Sequence, residues 1–296
     1  MRIIVFLLVA AAVPAAENPT RYRNPIVFGR EHVEEKLASK IWIMEEDGSG
    51  QRALTTGSTY DDHPSLYADR EHALYSEFPV NALDRSAGAR LIKLNIYTGE
   101  RHVVAEVPGC ALHHASLSPF GDLLAYHRDC GPRWSQWVGW GPNAYEVHTA
   151  ATNGVALPDG IIFMHEYRRG LRQREVSLAR LYGHGPGAKM VFLTGDKHLH
   201  RRPAISPDGK LLAWQTNLAG PEDEIFLANI DGSNPRNLTN APGNDGHPWF
   251  SRDGRWIVFE SDRTGSWEIW KLNLQTRQAV RLTTGGKKYE STRPRM

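Results

Sequence analysis

The sequence predicts an all-β fold: a six-bladed β-propeller of four-stranded antiparallel blades, its ring closed by the C-terminal strand. Three observations carry this expectation. One phrase recurs along the chain, each copy is followed by a short apolar strand, and segments with helical periodicity are nearly missing.

The clear copies are His63-Pro64-Ser65-Leu66-Tyr67-Ala68-Asp69-Arg70, His114-Ala115-Ser116-Leu117-Ser118-Pro119-Phe120-Gly121, Arg202-Pro203-Ala204-Ile205-Ser206-Pro207-Asp208-Gly209 and His247-Pro248-Trp249-Phe250-Ser251-Arg252-Asp253-Gly254. Asn153-Gly154-Val155-Ala156-Leu157-Pro158-Asp159-Gly160 is a worn fifth copy. Arg293-Pro294-Arg295-Met296 is the start of a sixth. Their first residues are 51, 39, 49, 45 and 46 apart, which suits one four-stranded blade per copy.

Each part of the unit has a physical reading. Ser-Pro-Asp-Gly is a tight turn: Pro sets φ, Asp caps its own backbone, and Gly takes a positive φ. A second strand follows, as in Ala73-Leu74-Tyr75-Ser76, Leu123-Leu124-Ala125-Tyr126, Ile161-Ile162-Phe163-Met164, Leu211-Leu212-Ala213-Trp214 and Trp256-Ile257-Val258-Phe259. A third comes after a polar loop, as in Lys40-Ile41-Trp42-Ile43-Met44 or Glu268-Ile269-Trp270-Lys271-Leu272. Turns such as Asp47-Gly48 and Asp231-Gly232 favour hairpins. A fourth strand closes the unit with Arg52-Ala53-Leu54-Thr55, Arg236-Asn237-Leu238-Thr239 or Arg281-Leu282-Thr283. Residues 24–57 hold only three strands, and Thr292-Arg293-Pro294-Arg295-Met296 is expected to supply the missing innermost one, which removes the open sheet edges. Seven blades is the competing count, if residues 131–200 hide a degenerate extra unit.

Composition narrows the function. A net charge of +2 with 23% charged residues argues against a nucleic-acid binder, which usually carries a strongly basic domain. Nine Trp and ten Tyr suit pleated strands. Residues 1–16 have a positive start, an apolar run over 3–13 and the small-residue ending Val13-Pro14-Ala15-Ala16, the layout of a signal peptide. The expected organisation is a signal peptide over 1–16 and one propeller domain over 24–296, soluble after cleavage and periplasmic or extracellular. The chain has two cysteines, and in an exported protein such a pair suggests a disulfide. A hairpin centred on residue 120 sets Cys110 opposite Cys130, within bridging range.

The repeats resemble those of the exported TolB-type (WD40-like) β-propeller family. The likeness runs from about residue 24 to the end and is weak between about 131 and 200. It covers the propeller part only: the family also carries an N-terminal α/β domain, for which there is no room before Asn24. The resemblance implies that the loop entering each innermost strand rings one channel mouth. The expected channel-mouth binding residues are therefore His63, His114, Asn153, Arg202, His247 and Arg293. Asp61, Asp62, His113, His198, His200, Arg201, Asn244, Asp245 and Glu290 are their neighbours.

Converging polar groups at a concave site are the default binding site; a polar ring around a water-filled channel is the plainer reading of the same residues. No cofactor is expected, with a divalent metal at the channel mouth as the sharper alternative on His63, His114, His200 and His247. Arg168, Arg169, Arg172 and Arg174 in the 166–174 loop, with Arg201, are candidates for holding an anion. Trp134, Trp137 and Trp140 read as blade packing, with exposed stacking surfaces as the alternative. Esterase-elbow, zinc-protease, phosphate-loop and dinucleotide motifs are absent. The expected function is a non-enzymatic scaffold that binds a protein or cell-envelope component at its channel face. The alternative is a lyase or binding protein for acidic (uronate) oligosaccharides, a reaction that some exported propellers of similar appearance carry out with a His-rich, metal-bearing mouth.

Overall fold

A computed structural model of the chain describes residues 21–34, 39–79, 88–131, 134–169, 173–183, 187–195 and 197–296; side chains 167–169 and 173–174 are not described. The expected signal peptide over 1–16 and Arg172 lie outside these residues. Among the described residues, no helix is long and apolar enough to cross a membrane.

Six four-stranded antiparallel sheets form the six blades. Blade 1 is completed across the chain: Tyr289–Arg295 pairs with Ile26–His32, in register from Val27 opposite Arg295 to His32 opposite Tyr289. The C-terminal strand is therefore the innermost strand of the first blade, as expected. Blades 2 to 6 begin with Tyr60–Leu66, Ala111–Leu117, Ala151–Leu157, His200–Ile205 and Asp245–Phe250. The stretch with the weakest repeats holds the outer half of blade 3 and most of blade 4, with no seventh sheet among the described residues.

The repeated turn is built as its sequence implies. In blade 5, Ser206 Oγ donates to Asp208 Oδ1 at 2.6 Å and accepts from the Leu211 amide at 2.9 Å, while Gly209 takes φ +73°. Blade 6 repeats this with Ser251, Asp253, Trp256 and Gly254. In blade 2, Arg70 sits in the glycine's place at φ +58°. A non-glycine residue there costs about 1–2 kcal/mol. A Leu-Thr pair finishes blades 1, 4, 5 and 6. The hydroxyls of Thr55, Thr194, Thr239 and Thr283 accept from the amides of Ile41, Leu178, Ile225 and Ile269 at the start of the third strand's apolar run.

Apolar side chains fill the seams between blades. Leu74 and Leu91 of blade 2 meet Leu112, Leu117 and Tyr126 of blade 3, and Ala125 and Val138 of blade 3 meet Ile161 and Phe163 of blade 4. The tryptophans of blade 3 belong to this packing. Trp137 stacks on Tyr126 and has the Arg128 guanidinium over its ring, and Trp140 stacks on Tyr67 of blade 2.

The Cys110–Cys130 disulfide is present, with Cα atoms 4.3 Å apart. Its register depends on a bulge. Leu117 faces Leu124 and Ser116 faces Ala125, but beyond the shift His113 faces His127 and Ala111 faces Asp129. Continued without that shift, the ladder would set Cys130 opposite Ala111. The bridge closes a segment with a sequence separation of 20, and such a loop contributes roughly 3 kcal/mol by restricting the unfolded chain. Reducing the protein, or replacing both cysteines by serine, is expected to lower the midpoint of urea denaturation and to raise the m-value, because the unfolded chain is then free to expand.

Candidate functional site

The innermost strand of every blade contains one residue in the left-handed region: His63, His114, Asn153, Arg202, His247 and Arg293, with φ between +46° and +53°. In each blade this residue sits at a shift in the ladder between the first two strands. Pro follows in four of the six, at Pro64, Pro203, Pro248 and Pro294. Proline has no N–H for the ladder and is accepted at bulges.

The six residues therefore lie within the innermost strands rather than in the loops that enter them, and in four blades the following proline sits at the bulge. His63 and His247 are consequently only 6% and 7% exposed.

The ring brings three of the expected residues close together. The imidazole centroids of His63 and His114 are 4.1 Å apart, and those of His63 and His247 are 6.3 Å apart. His63 Nδ1 lies 2.7 Å from Asp62 Oδ2. His247 Nδ1 lies 2.6 Å from Glu260 Oε1. The Nε2 atoms of both rings are buried and have no hydrogen-bonding partner among the described residues. Arg293 ties the closing strand to both neighbouring blades. Its Nη1 is 2.8 Å from Asp62 Oδ1 in blade 2, and its amide donates to Glu260 Oε2 of blade 6 at 2.7 Å. Arg202 Nη1 donates to Asn153 Oδ1, and Asn153 Nδ2 donates to Thr152 Oγ1 at 3.0 Å.

Burial sets the protonation states. It opposes ionisation of Asp62, but Arg293 and His63 outweigh it and hold the carboxyl far below its usual range. Glu260 is likewise held low, with His247 and Arg293 overcoming burial. Burial pushes His63 down to about 4 and His247 down to about 3, against the pull of their carboxylates. Arg202 falls to about 10 through burial and then repulsion from Arg293. At neutral pH the ring thus holds neutral imidazoles, two carboxylates and guanidinium ions, and the guanidinium of Arg202 rests on a neutral amide.

Other sequence candidates lie elsewhere. His200 is enclosed within blade 5, where its Nδ1 accepts from Trp214 Nε1 at 3.1 Å and sits 3.2 Å from Thr216 Oγ1. It is apart from His63, His114 and His247. Arg201 is paired with Asp223. Asp61 lies 3.4 Å from Lys40 Nζ, and Asp245 accepts two hydrogen bonds from Arg263, so neither faces the ring as an open carboxylate. The expected arginine loop is largely a hairpin: Gly160–Arg169 pairs with Gln173–Tyr182, bringing the backbones of Arg168 and Arg174 opposite each other. The side chains of Arg168, Arg169, Arg172 and Arg174 lie outside the described residues.

Sequence reasoning missed Glu260 and His127. Both come from second strands, and the bulge register alone shows which residues they oppose. At the other end of the channel lies a cavity of about 380 Å³, with Leu66, Leu117, Trp249, Phe250 and Met296 beside Arg70 and Arg252.

Residues 190–296 match the family model of the TolB β-propeller domain. An uncharacterised protein of Agrobacterium fabrum is 36% identical over 81 residues, which is 26% of this chain and 26% of that protein. The Tol-Pal system protein TolB of Bordetella pertussis is 42% identical over 52 residues, 17% of this chain and 12% of its own length. The chain thus matches about a quarter or less of the length of these curated relatives. The crystal structure of TolB from Acinetobacter baumannii superposes with a TM-score of 0.76, covering 93% of this chain and 66% of that one at 15% identity. At that identity the likeness concerns the fold.

Two outcomes follow from the ring's electrostatics. His247 binds its proton near 6.5 when unfolded but only near 3 when folded. The unfolded state therefore binds more protons between those values, and stability falls as pH drops through that window. The melting temperature is expected to decline from pH 6.5 to pH 4, with a shallower slope in His247→Gln. Replacing Arg293 by Met removes the guanidinium paired with the buried Asp62 carboxylate, while the amide bond to Glu260 remains; it is expected to cost about 3–5 kcal/mol, read from chemical denaturation. Adding Asp62→Asn to that variant recovers part of the loss.

Proposed function

We propose that this chain, a β-propeller of the TolB type, is an exported interaction scaffold that binds an acidic segment of a protein or cell-envelope component at the ring-bearing mouth of its channel. The observation that carries this reading is the set of unmet polar groups inside the ring. Two buried imidazoles have an Nε2 with no hydrogen-bonding partner among the described residues, and Arg202 rests on the neutral Asn153. Buried polar groups without partners are costly. Each neutral ring donates Nδ1–H to its carboxylate, so its Nε2 is an acceptor, and a ligand that brings N–H donors to these nitrogens and a carboxylate to Arg202 relieves that cost. The neighbouring guanidinium of Arg293 is already committed to Asp62, which leaves Arg202 as the cation that an incoming carboxylate meets.

Fold and comparisons support a binding role in general terms. A rigid ring of short blades presents a concave mouth without enzyme motifs, and the B. pertussis relative is named as a Tol-Pal system protein. The disulfide supports export, because such bridges persist in oxidising compartments. No cofactor is needed for this role.

The test is site-specific photo-crosslinking in the native envelope. A photoreactive residue at Lys288, exposed beside the ring mouth, is compared with one at Val103 on the outer edge of blade 2. A discrete protein adduct at 288 and none at 103, weakened several-fold by Arg202→Gln, is the expected result. Equal adducts at both positions, or no effect of Arg202→Gln, would overturn the reading. Loss of the adduct in favour of tight binding to a purified polyuronate would turn it toward the acidic oligosaccharide.

A further inference from the structure

Every blade offers the same three places near the channel: the residue before the bulge, the left-handed residue, and the second-strand residue opposite the first. In blade 2 these are Asp62, His63 and Ser76, in blade 5 Arg201, Arg202 and Gln215, and in blade 6 Gly246, His247 and Glu260. In blade 3 all three are histidines: His113, His114 and His127.

Adjacent residues of a regular strand point to opposite faces. The bulge breaks that alternation, so the rings of His113 and His114 lie 4.5 Å apart, centroid to centroid. His127 approaches from the paired strand, 4.5 Å from His113 and 5.7 Å from His114. We propose that His113, His114 and His127 bind one divalent transition metal of the zinc, nickel or copper class.

The geometry is close to what such an ion needs. One potential ligand nitrogen from each ring lies within 4.8 Å of the other two. Nitrogens bound tetrahedrally at 2.0–2.1 Å stand about 3.3 Å from each other, so small ring movements complete the site. Support for one of the rings is already provided, since Thr152 Oγ1 keeps one lone pair beside the bond from Asn153 Nδ2. Thr152 Oγ1, on the neighbouring blade, lies 3.1 Å from His114 Nδ1 and 3.3 Å from His127 Nδ1. A hydrogen bond to the second ring nitrogen is the usual support for a metal-bound histidine.

The walls are apolar: Trp134 stands edge-on to His127 at 5.2 Å, and Phe78 to His113 at 5.9 Å. Three imidazole ligands would carry no charge to offset that of the ion and would leave a fourth position for water or an anion. Imidazole donors favour zinc, copper or nickel over magnesium or calcium, which prefer oxygen. His63, 4.1 Å from His114 and set against the Asp62 carboxylate, stands beside the cluster on the next blade.

The test uses the purified chain and does not depend on the scaffold reading. Zinc binding is measured by calorimetry and by metal content after dialysis, and cobalt(II) is added as a visible-absorption probe. Wild type is expected to hold one equivalent and to show the intense visible band of tetrahedral cobalt. His113→Gln and His127→Gln each lose that band and bind zinc at least tenfold more weakly, whereas His102→Gln, at an exposed histidine of blade 2, changes nothing. Thr152→Val weakens binding by about 10- to 100-fold, and it decides the matter if the histidine variants fail to fold by circular dichroism. Less than one equivalent in wild type, or unchanged affinity in the folded variants, would overturn the proposal.

Discussion

A left-handed residue in the middle of each innermost strand constrains the rest of this molecule. The strain of one such residue is about 1–2 kcal/mol, and it recurs at His63, His114, Asn153, Arg202, His247 and Arg293. At the bulge the ladder slips by one position, so a side chain that strand alternation would direct into the blade turns toward the axis. The channel lining, the triple-histidine cluster and the register that joins Cys110 to Cys130 all depend on that slip.

The ring is held by charge as much as by packing. Arg293 links blade 1 to Asp62 of blade 2 and, through its amide, to Glu260 of blade 6. Buried ion pairs hold a register more dependably than they add stability, because desolvation offsets much of their attraction. At this seam register matters most: blade 1 is assembled from two distant parts of the chain, and no covalent bond joins them. Burial of Arg295 against Trp249, with its centroid 4.5 Å from the guanidinium, lowers that group to about 10. Cationic character near the axis is therefore held under tension by the same burial that keeps the histidines neutral.

Much of the fold was legible because turn chemistry is local. Ser-Pro-Asp-Gly and the alternating strands after it state their geometry in sequence, and the closing strand was readable as the missing quarter of blade 1. Blade 4 was harder. Asn153-Gly154 lacks the proline that marks four of the other five bulges, and its central hairpin, Gly160–Arg169 with Gln173–Tyr182, is longer than its counterparts. A usable signal was present in Leu193-Thr194, which repeats the pair at Leu54-Thr55, Leu238-Thr239 and Leu282-Thr283 and makes the same threonine-to-amide bond. The site was legible only in part. All six ring residues could be located from the phrase, but their depth could not, since X-Pro reads equally as a strand start or as a bulge. His127 and Glu260 stayed hidden because their meaning arises from pairing across strands. His200 misled because it lies two residues before the bulge, where ordinary alternation turns it into the sheet.

The seam in blade 1 also has a mechanical meaning. Val27 faces Arg295 while His32 faces Tyr289, so the two antiparallel strands present residues 24 and 296 at the same end of the ladder. A force drawing those two points apart meets the hydrogen bonds one after another, as in a zipper, rather than all at once, as in shear. The ring thus resists crushing and twisting through its packed seams, yet has one line along which a modest pull opens it blade edge first.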